Sequence, residues 1–243
     1  MSEKVAVVIP SRYASSRFPG KPLALLCGRP MVQHVYEKAA ASSADMVLVA
    51  TDDDRIYNAV EAFGGKAVMT SENHPSGTDR IAEAVLNCGE KVDIIINVQG
   101  DEPLIPTSVI DELIDIMKKD PSIAMATVGV PDERERMTEN NVKVVFGADN
   151  YALYFSRSMI PFLRAGGTEV PPYLHWGIYA YRRETLERFV QLPPGKLEEC
   201  EKLEQLRALE NGIRIYVHVS NLTSIGIDTP ADLELAEKKL RGE

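Results

Sequence analysis

Val5-Ala6-Val7-Val8-Ile9 runs directly into Pro10-Ser11-Arg12-Tyr13-Ala14-Ser15-Ser16-Arg17-Phe18-Pro19-Gly20-Lys21-Pro22-Leu23, and the fold is read outward from this stretch. A short β-branched run bounded by proline predicts a buried strand. The segment after it sets Arg12, Arg17 and Lys21 among serines, glycine and prolines. Small residues leave backbone N–H groups accessible, and three cations suit a polyanion such as a triphosphate. The alternative is an exposed basic turn without a role.

From here the chain alternates. Residues 31–41 read as an amphipathic helix and 46–50 as a strand. Apolar residues at helical spacing over 55–63 stop at Gly64-Gly65, a C-cap signal. Residues 67–69 read as a short strand, 78–86 as a helix, 93–98 as the most apolar strand and 109–118 as a helix. This alternation predicts an α/β fold with a doubly wound, mostly parallel, Rossmann-like sheet and helices on both faces. Ligands of such sheets bind beyond the carboxyl ends of the strands, where the basic loop falls.

After residue 130 the rhythm changes. Residues 131–141 read as a connection, 142–146 and 151–155 as strands, 165–172 as a loop and 176–181 as a strand. Residues 198–210 read as one helix ended by Asn211-Gly212, and 213–219 as a strand. Residues 229–240 form a closing helix, with Thr229 as its cap and Pro230 in its first turn. The expected organisation is a single domain, its core at 1–130 and 213–243 and an inserted lobe at 131–212.

The net charge of −9 over 243 residues argues against general nucleic-acid binding, so the basic loop is a local exception in an acidic chain. No apolar run approaches the roughly 20 residues needed to cross a bilayer. Met1-Ser2-Glu3-Lys4 opens into the first strand without a signal-peptide pattern, so a cytoplasmic enzyme is expected. Cys27, Cys88 and Cys200 are widely spaced and read as reduced thiols, neither metal ligands nor nucleophiles.

Other groups could carry chemistry. Gln99-Gly100-Asp101-Glu102-Pro103 follows the most apolar strand, and Asp228-Thr229-Pro230 precedes the last helix. Taken singly, Asp101 could cap a turn and Asp228 the helix. Beside a triphosphate-sized basic loop, both look like ligands of Mg²⁺, which takes few carboxylates and completes its shell with phosphate and water. Ser76-Gly77-Thr78-Asp79-Arg80 enters a helix, and could contact a base or phosphate or be an N-cap with a surface arginine. In the later region stand Arg157, suited to a substrate carboxylate, and His175, Tyr179, Tyr181, Glu204 and Gln205. His175 and Tyr179 share a strand face only if no bulge intervenes. A Walker P-loop and a GxGxxG fingerprint are absent, which disfavours a nicotinamide dehydrogenase.

The ordered set of motifs closely resembles the 3-deoxy-manno-octulosonate cytidylyltransferase (CMP-Kdo synthetase) family from near residue 4 to near residue 240. The family's R-x-x-S-x-R-x-P-x-K-x-L opening is matched by Arg12, Ser15, Arg17, Pro19, Lys21 and Leu23. Further matches are residues 50–53, 76–80, 97–103, 151–157, 175–182, 203–207 and 228–230. Ser11 stands where many relatives have alanine, and Phe18 where leucine is usual. Ser224-Ile225-Gly226 replaces a more usual Gly-Thr-Gly.

The resemblance implies a nucleotidyltransferase that joins CTP and Kdo to give CMP-Kdo and diphosphate for lipopolysaccharide assembly. It implies a homodimer whose lobe shapes the sugar site. Arg12 and Lys21 would hold the triphosphate with Arg17 and Ser15 nearby, Asp101 and Asp228 would ligate Mg²⁺, and Ser76 and Arg80 would lie beside the nucleotide. Gln99, Arg157, His175, Tyr179, Glu204 and Gln205 would surround Kdo. The alternatives are another acidic sugar, such as the 8-amino Kdo analogue or a sialic acid, and a regulatory protein that binds nucleotide without turnover.

Overall fold

Val5–Ser11 (β1) is buried along almost its whole length, on both faces, as a central parallel strand requires. The computed structural model describes residues 3–14, 18–134 and 137–242. After β1 come a 3-10 turn at Lys21–Leu23, β2 (Leu25–Leu26), β3 (Arg29–Pro30), α1 (Met31–Ala40) and β4 (Met46–Thr51). Then follow α2 (Asp54–Ala62), β5 (Ala67–Met69), α3 (Gly77–Asn87), β6 (Ile94–Asn97) and α4 (Thr107–Lys119). The later chain holds β7 (Met125–Pro131), β8 (Lys143–Phe146), β9 (Ala152–Ser156), β10 (Tyr173–Arg182) and α5 (Arg183–Phe189). It ends with α6 (Lys196–Glu201), α7 (Gln205–Glu210), β11 (Ile215–Val219) and α8 (Pro230–Arg241). These elements form two compact units, Met1–Ile116 with Thr223–Glu243, and Met117–Leu222.

In the first unit β1 pairs in parallel with β4 (Ala6↔Met46 to Ser11↔Thr51) and with β6 (Val5↔Ile94 to Val8↔Asn97), and β4 pairs with β5. The order is therefore β6-β1-β4-β5. The chain moves outward from β1 through β4 to β5, then reverses and crosses back to β6. With right-handed crossovers this puts α1 and α2 on one face and α3 on the other, the doubly wound arrangement expected. The reversal makes the carboxyl ends of β1 and β6 the switch point, where a crevice opens.

The second unit is mixed. β10 runs antiparallel to β7 and β8, β8 antiparallel to β9, and β11 parallel to β7. Across both units the structure departs from the sequence reading in five places. β7, which was not anticipated, is an almost continuously buried apolar strand. β10 starts three residues before the expected strand and passes without a break into α5. The hairpin β2–β3 and α5 also went unread. The single helix expected over 198–210 is two, broken at Lys202, whose φ of 54° is left-handed. A fork from Arg207 explains the break: its Nε and Nη2 lie 2.7 and 2.5 Å from the two oxygens of Glu198. In a continuous helix residues nine apart would be separated by roughly 13.5 Å along the axis.

Candidate active site

The loop after β1 is closed by its own residues. Gly20 is left-handed (φ 71°), donates its N–H to the Tyr13 carbonyl (2.9 Å) and opens the turn carrying Lys21. A Cβ at Gly20 would stand 3.1 Å from the Tyr13 ring, so the glycine is needed for both its φ and the close approach. The Arg55 guanidinium stacks over that ring, 3.3 Å from the centroid.

This turn delivers the Lys21 ammonium to two carboxylates distant in sequence. Lys21 Nζ donates to Asp101 Oδ2 (2.8 Å), Asp228 Oδ1 (3.3 Å) and the Ile227 carbonyl (2.9 Å). The backbone enforces the meeting, because Ile227 N donates to the Asp101 carbonyl at 2.8 Å. Ile227 itself is fully buried in a cluster with Leu26, Met31 and Ala236. Thr229, not Asp228, caps α8, accepting from Asp232 N (3.3 Å). Asp232 returns the favour as a capping box, its Oδ2 accepting from Thr229 N (2.8 Å) and Asp228 N (3.1 Å). Asp228 is thus held just outside the helix with its carboxylate turned to Lys21.

A cleft of about 510 Å³ opens here, lined among others by Ser11, Arg12, Lys21, Gln99, Gly100, Asp101 and Asp228. It sits at the switch point, since Arg12 follows β1 and Gln99 and Asp101 follow β6. The side chains of Asp101 and Asp228 remain 35% and 47% exposed, so each has room for a further partner. No group of three or more His, Cys, Asp or Glu that could hold a metal exists among the described residues. Two carboxylates aimed at one cation, beside an open cleft, fit an ion that keeps water and phosphate oxygens.

Ser76 is the N-cap of α3, accepting from the amides of Thr78 and Asp79 (3.1 and 3.2 Å). Arg80 is not a surface group. It is wholly buried, giving Nη2 to Asp52 and Nη1 to Thr70 Oγ1, each at 2.5 Å. Burial pulls its guanidinium downward while Asp52 opposes the shift. Ser15 and Arg17 lie outside the described residues.

The remaining residues expected around the sugar all lie in the second unit. β10 does carry a bulge, between Trp176 and Tyr179, yet His175 pairs with Gly129 and Tyr179 with Thr127. Those partners are two apart, so the bulge inserts an even number of residues and both rings keep one face. Their centroids are 5.4 Å apart, and the Phe155 ring meets His175 edge-on at 4.9 Å. Thr127 Oγ1 lies 3.0 Å from His175 Nε2. Burial pushes the His175 imidazole down to about 3 and the Tyr179 phenol well up, so both are neutral near pH 7.

Arg157 is framed by Glu201. One carboxylate oxygen accepts from Ser156 Oγ (2.6 Å), the other from Arg157 N (2.9 Å), and the Glu201 carbonyl takes Arg157 Nε (2.9 Å). Burial raises the Glu201 carboxyl, but these hydrogen bonds and nearby cations carry it below its ordinary value. Lys143, 1% exposed and unforeseen from sequence, donates to the carbonyls of Thr138 (2.8 Å), Asn141 (2.5 Å) and Arg157. Gln205 is buried, and its Nε2 has no hydrogen-bond partner among the described residues.

Comparison with known proteins identifies the architecture. The profile of the Cytidylyltransferase family matches residues 6–215. The chain belongs to this cytidylyltransferase family. Within it, the chain is 54% identical to a 3-deoxy-manno-octulosonate cytidylyltransferase of Thermodesulfovibrio yellowstonii over 96% of both chains. It is 52% identical to an 8-amino-3,8-dideoxy-manno-octulosonate cytidylyltransferase of Shewanella pealeana, covering 97% of this chain and 98% of the other. The structure of CMP:2-keto-3-deoxy-manno-octonic acid synthetase complexed with CTP matches with a TM-score of 0.94 at 44% identity, covering 99% of each chain. A cytidylyltransferase of Leptospira borgpetersenii, at 18% identity and a TM-score of 0.68 over 99% of this chain and 88% of that one, shares the fold.

Proposed function

We propose that this cytidylyltransferase activates Kdo: the anomeric 2-hydroxyl attacks the α-phosphorus of CTP, forming CMP-Kdo and releasing diphosphate. The observation that carries this reading is the 54% identity, over nearly the whole of both chains, to a relative named for that sugar. The Lys21–Asp101–Asp228 cluster supports it chemically.

Lys21 and Arg12 would hold the triphosphate, with Lys21 set against the charge that grows on the α-phosphate and leaving diphosphate. Asp101 and Asp228 would hold Mg²⁺, which when bound would neutralise phosphate charge. Arg157 would take the sugar carboxylate, and Gln99, His175, Tyr179, Glu204 and Gln205 would meet its hydroxyls. The unpartnered Gln205 Nε2 is a donor of the kind such a ligand satisfies. No residue is asked for nucleophilic catalysis; positioning and electrostatics suffice.

The test is diphosphate release from CTP with Kdo, 8-amino Kdo and a sialic acid, with and without Mg²⁺. Turnover is expected with Kdo and Mg²⁺ only. Preferential use of 8-amino Kdo would establish the second reading, which the 52% identical relative favours. CTP binding without any product would sink both. Cytoplasmic residence follows from the same reading, because CTP is made there. A homodimer is part of it too, supported by Leu153, Phe162 and Val170 of the second unit at 67, 86 and 47% exposure. Light scattering that returns a monomer mass would refute the dimer.

A further inference from the structure

The cleft contains a buried hydroxyl that nothing above uses. Ser11, the last residue of β1, is 2% exposed, and its Oγ has no hydrogen-bond partner among the described residues, though Ser11 lines the cleft with Arg12, Lys21 and Gln99. A buried hydroxyl left without a partner is destabilising. Alanine would fill the same strand position without that cost.

Gly100 makes the opening beside it. A Cβ at residue 100 would stand 3.0 Å from Ser11 Oγ and 2.9 Å from the Pro10 carbonyl oxygen. Along β1, Pro10 directs its carbonyl to the same side as Val8, whose oxygen accepts from Val98 N at 3.2 Å. The register with β6 ends at Asn97, so the Pro10 oxygen emerges past the end of that ladder. The cleft wall therefore presents two oxygens side by side, one able only to accept and the other able to accept or donate.

We propose that Ser11 Oγ, together with the Pro10 carbonyl, receives a hydrogen-bond donor of the bound nucleoside, an N–H or O–H lying over Gly100. The inference rests on reading the cleft as the CTP site. Two parts of the nucleoside carry such donors, the exocyclic amine of cytosine and the ribose hydroxyls.

The experiment compares wild type with Ser11→Ala by calorimetric titration and steady-state kinetics. CTP binding is expected to weaken about 5- to 10-fold, the scale of one net hydrogen bond, while KM for the sugar is unchanged. The melting temperature of the free variant should equal or exceed that of wild type, because a stranded polar group has been removed. If the donor is on the ribose, the loss vanishes with 2′- or 3′-deoxy-CTP; if it is the amine, the loss vanishes with UTP. Either pattern supports the assignment. CTP binding unchanged in Ser11→Ala, an equal loss with every analogue, or a lowered melting temperature would overturn it. A wild-type protein that binds no CTP sinks the reading of the cleft itself, an outcome distinct from those three.

Discussion

Lys21 is anchored by two carboxylates and a carbonyl while the cleft beside it stays open. Removing the ammonium leaves like charges facing each other, and removing Asp101's charge leaves the cation half-partnered. Lys21→Ala and Asp101→Asn should each lower diphosphate release by about 10²-fold or more, with an unaltered circular dichroism spectrum. Near-normal turnover in a folded Asp101→Asn protein would refute the assignment. His175 supports a pH prediction. It is neutral in the fold down to about pH 3, whereas the unfolded chain protonates near 6.5. Between those values the unfolded state binds the extra proton, so stability falls as pH drops from about 6.5 toward 3, by up to about 1.4 kcal/mol per unit. Urea titrations at pH 7, 6, 5 and 4 should show that slope, and His175→Gln should flatten it. That Lys21, Asp101 and Asp228 share one sheet edge was legible from their places after strands and before a helix. The burial of Arg80 was not, because Asp52 and Thr70 are brought to it by the sheet, from 28 and 10 residues away.

Among the elements, α8 matters through its first turn. Its capping box fixes the amide of Asp228, so Thr229→Ala should cost about 1 kcal/mol of stability and also lower turnover. Denaturant midpoints and diphosphate release measured on one preparation would separate the two effects; a stability loss with full activity would unlink the cap from the site. In the second unit Lys143 ties the start of β8 to the segment carrying Arg157. Lys143→Met should destabilise by about 1–3 kcal/mol and raise KM for Kdo while leaving KM for CTP near normal. Equal changes in both constants would argue for a purely structural lysine. The cap of α8 was readable because its signals are local. The break between α6 and α7 was not, because apolar spacing continues across Lys202 and only the Glu198–Arg207 fork reveals the fold-back.

At the scale of the whole molecule, the first unit is discontinuous, and its last segment supplies both a carboxylate and core. A chain ending at residue 222 lacks Ile227 and Ala236 from the cluster around Leu26 and Met31. It should lose CTP binding by calorimetry and the cooperative melting of that unit; a retained CTP titration would contradict this. The βαβ rhythm made the doubly wound half legible, since each buried parallel strand announces itself as a β-branched run. The mixed half was harder. β7 carries the same buried apolar character, but Gly129 and Pro131 break up its pattern next to charge-rich sequence. The structure also puts β7 and β11 in the second unit, although their sequence positions suggested the core.

The hydrogen bond from Ile227 to Asp101 has a consequence for synthesis on the ribosome. A nascent chain that has emerged through its second unit already carries the basic loop and Asp101, but not Asp228. The acidic pair around Lys21 is therefore incomplete until Asp228 and α8 have emerged, and Leu26 and Met31 wait without the cover of Ile227 and Ala236 in the meantime. Until then the emerging chain offers chaperones an apolar surface, and the step that buries it is the step that completes the acidic pair.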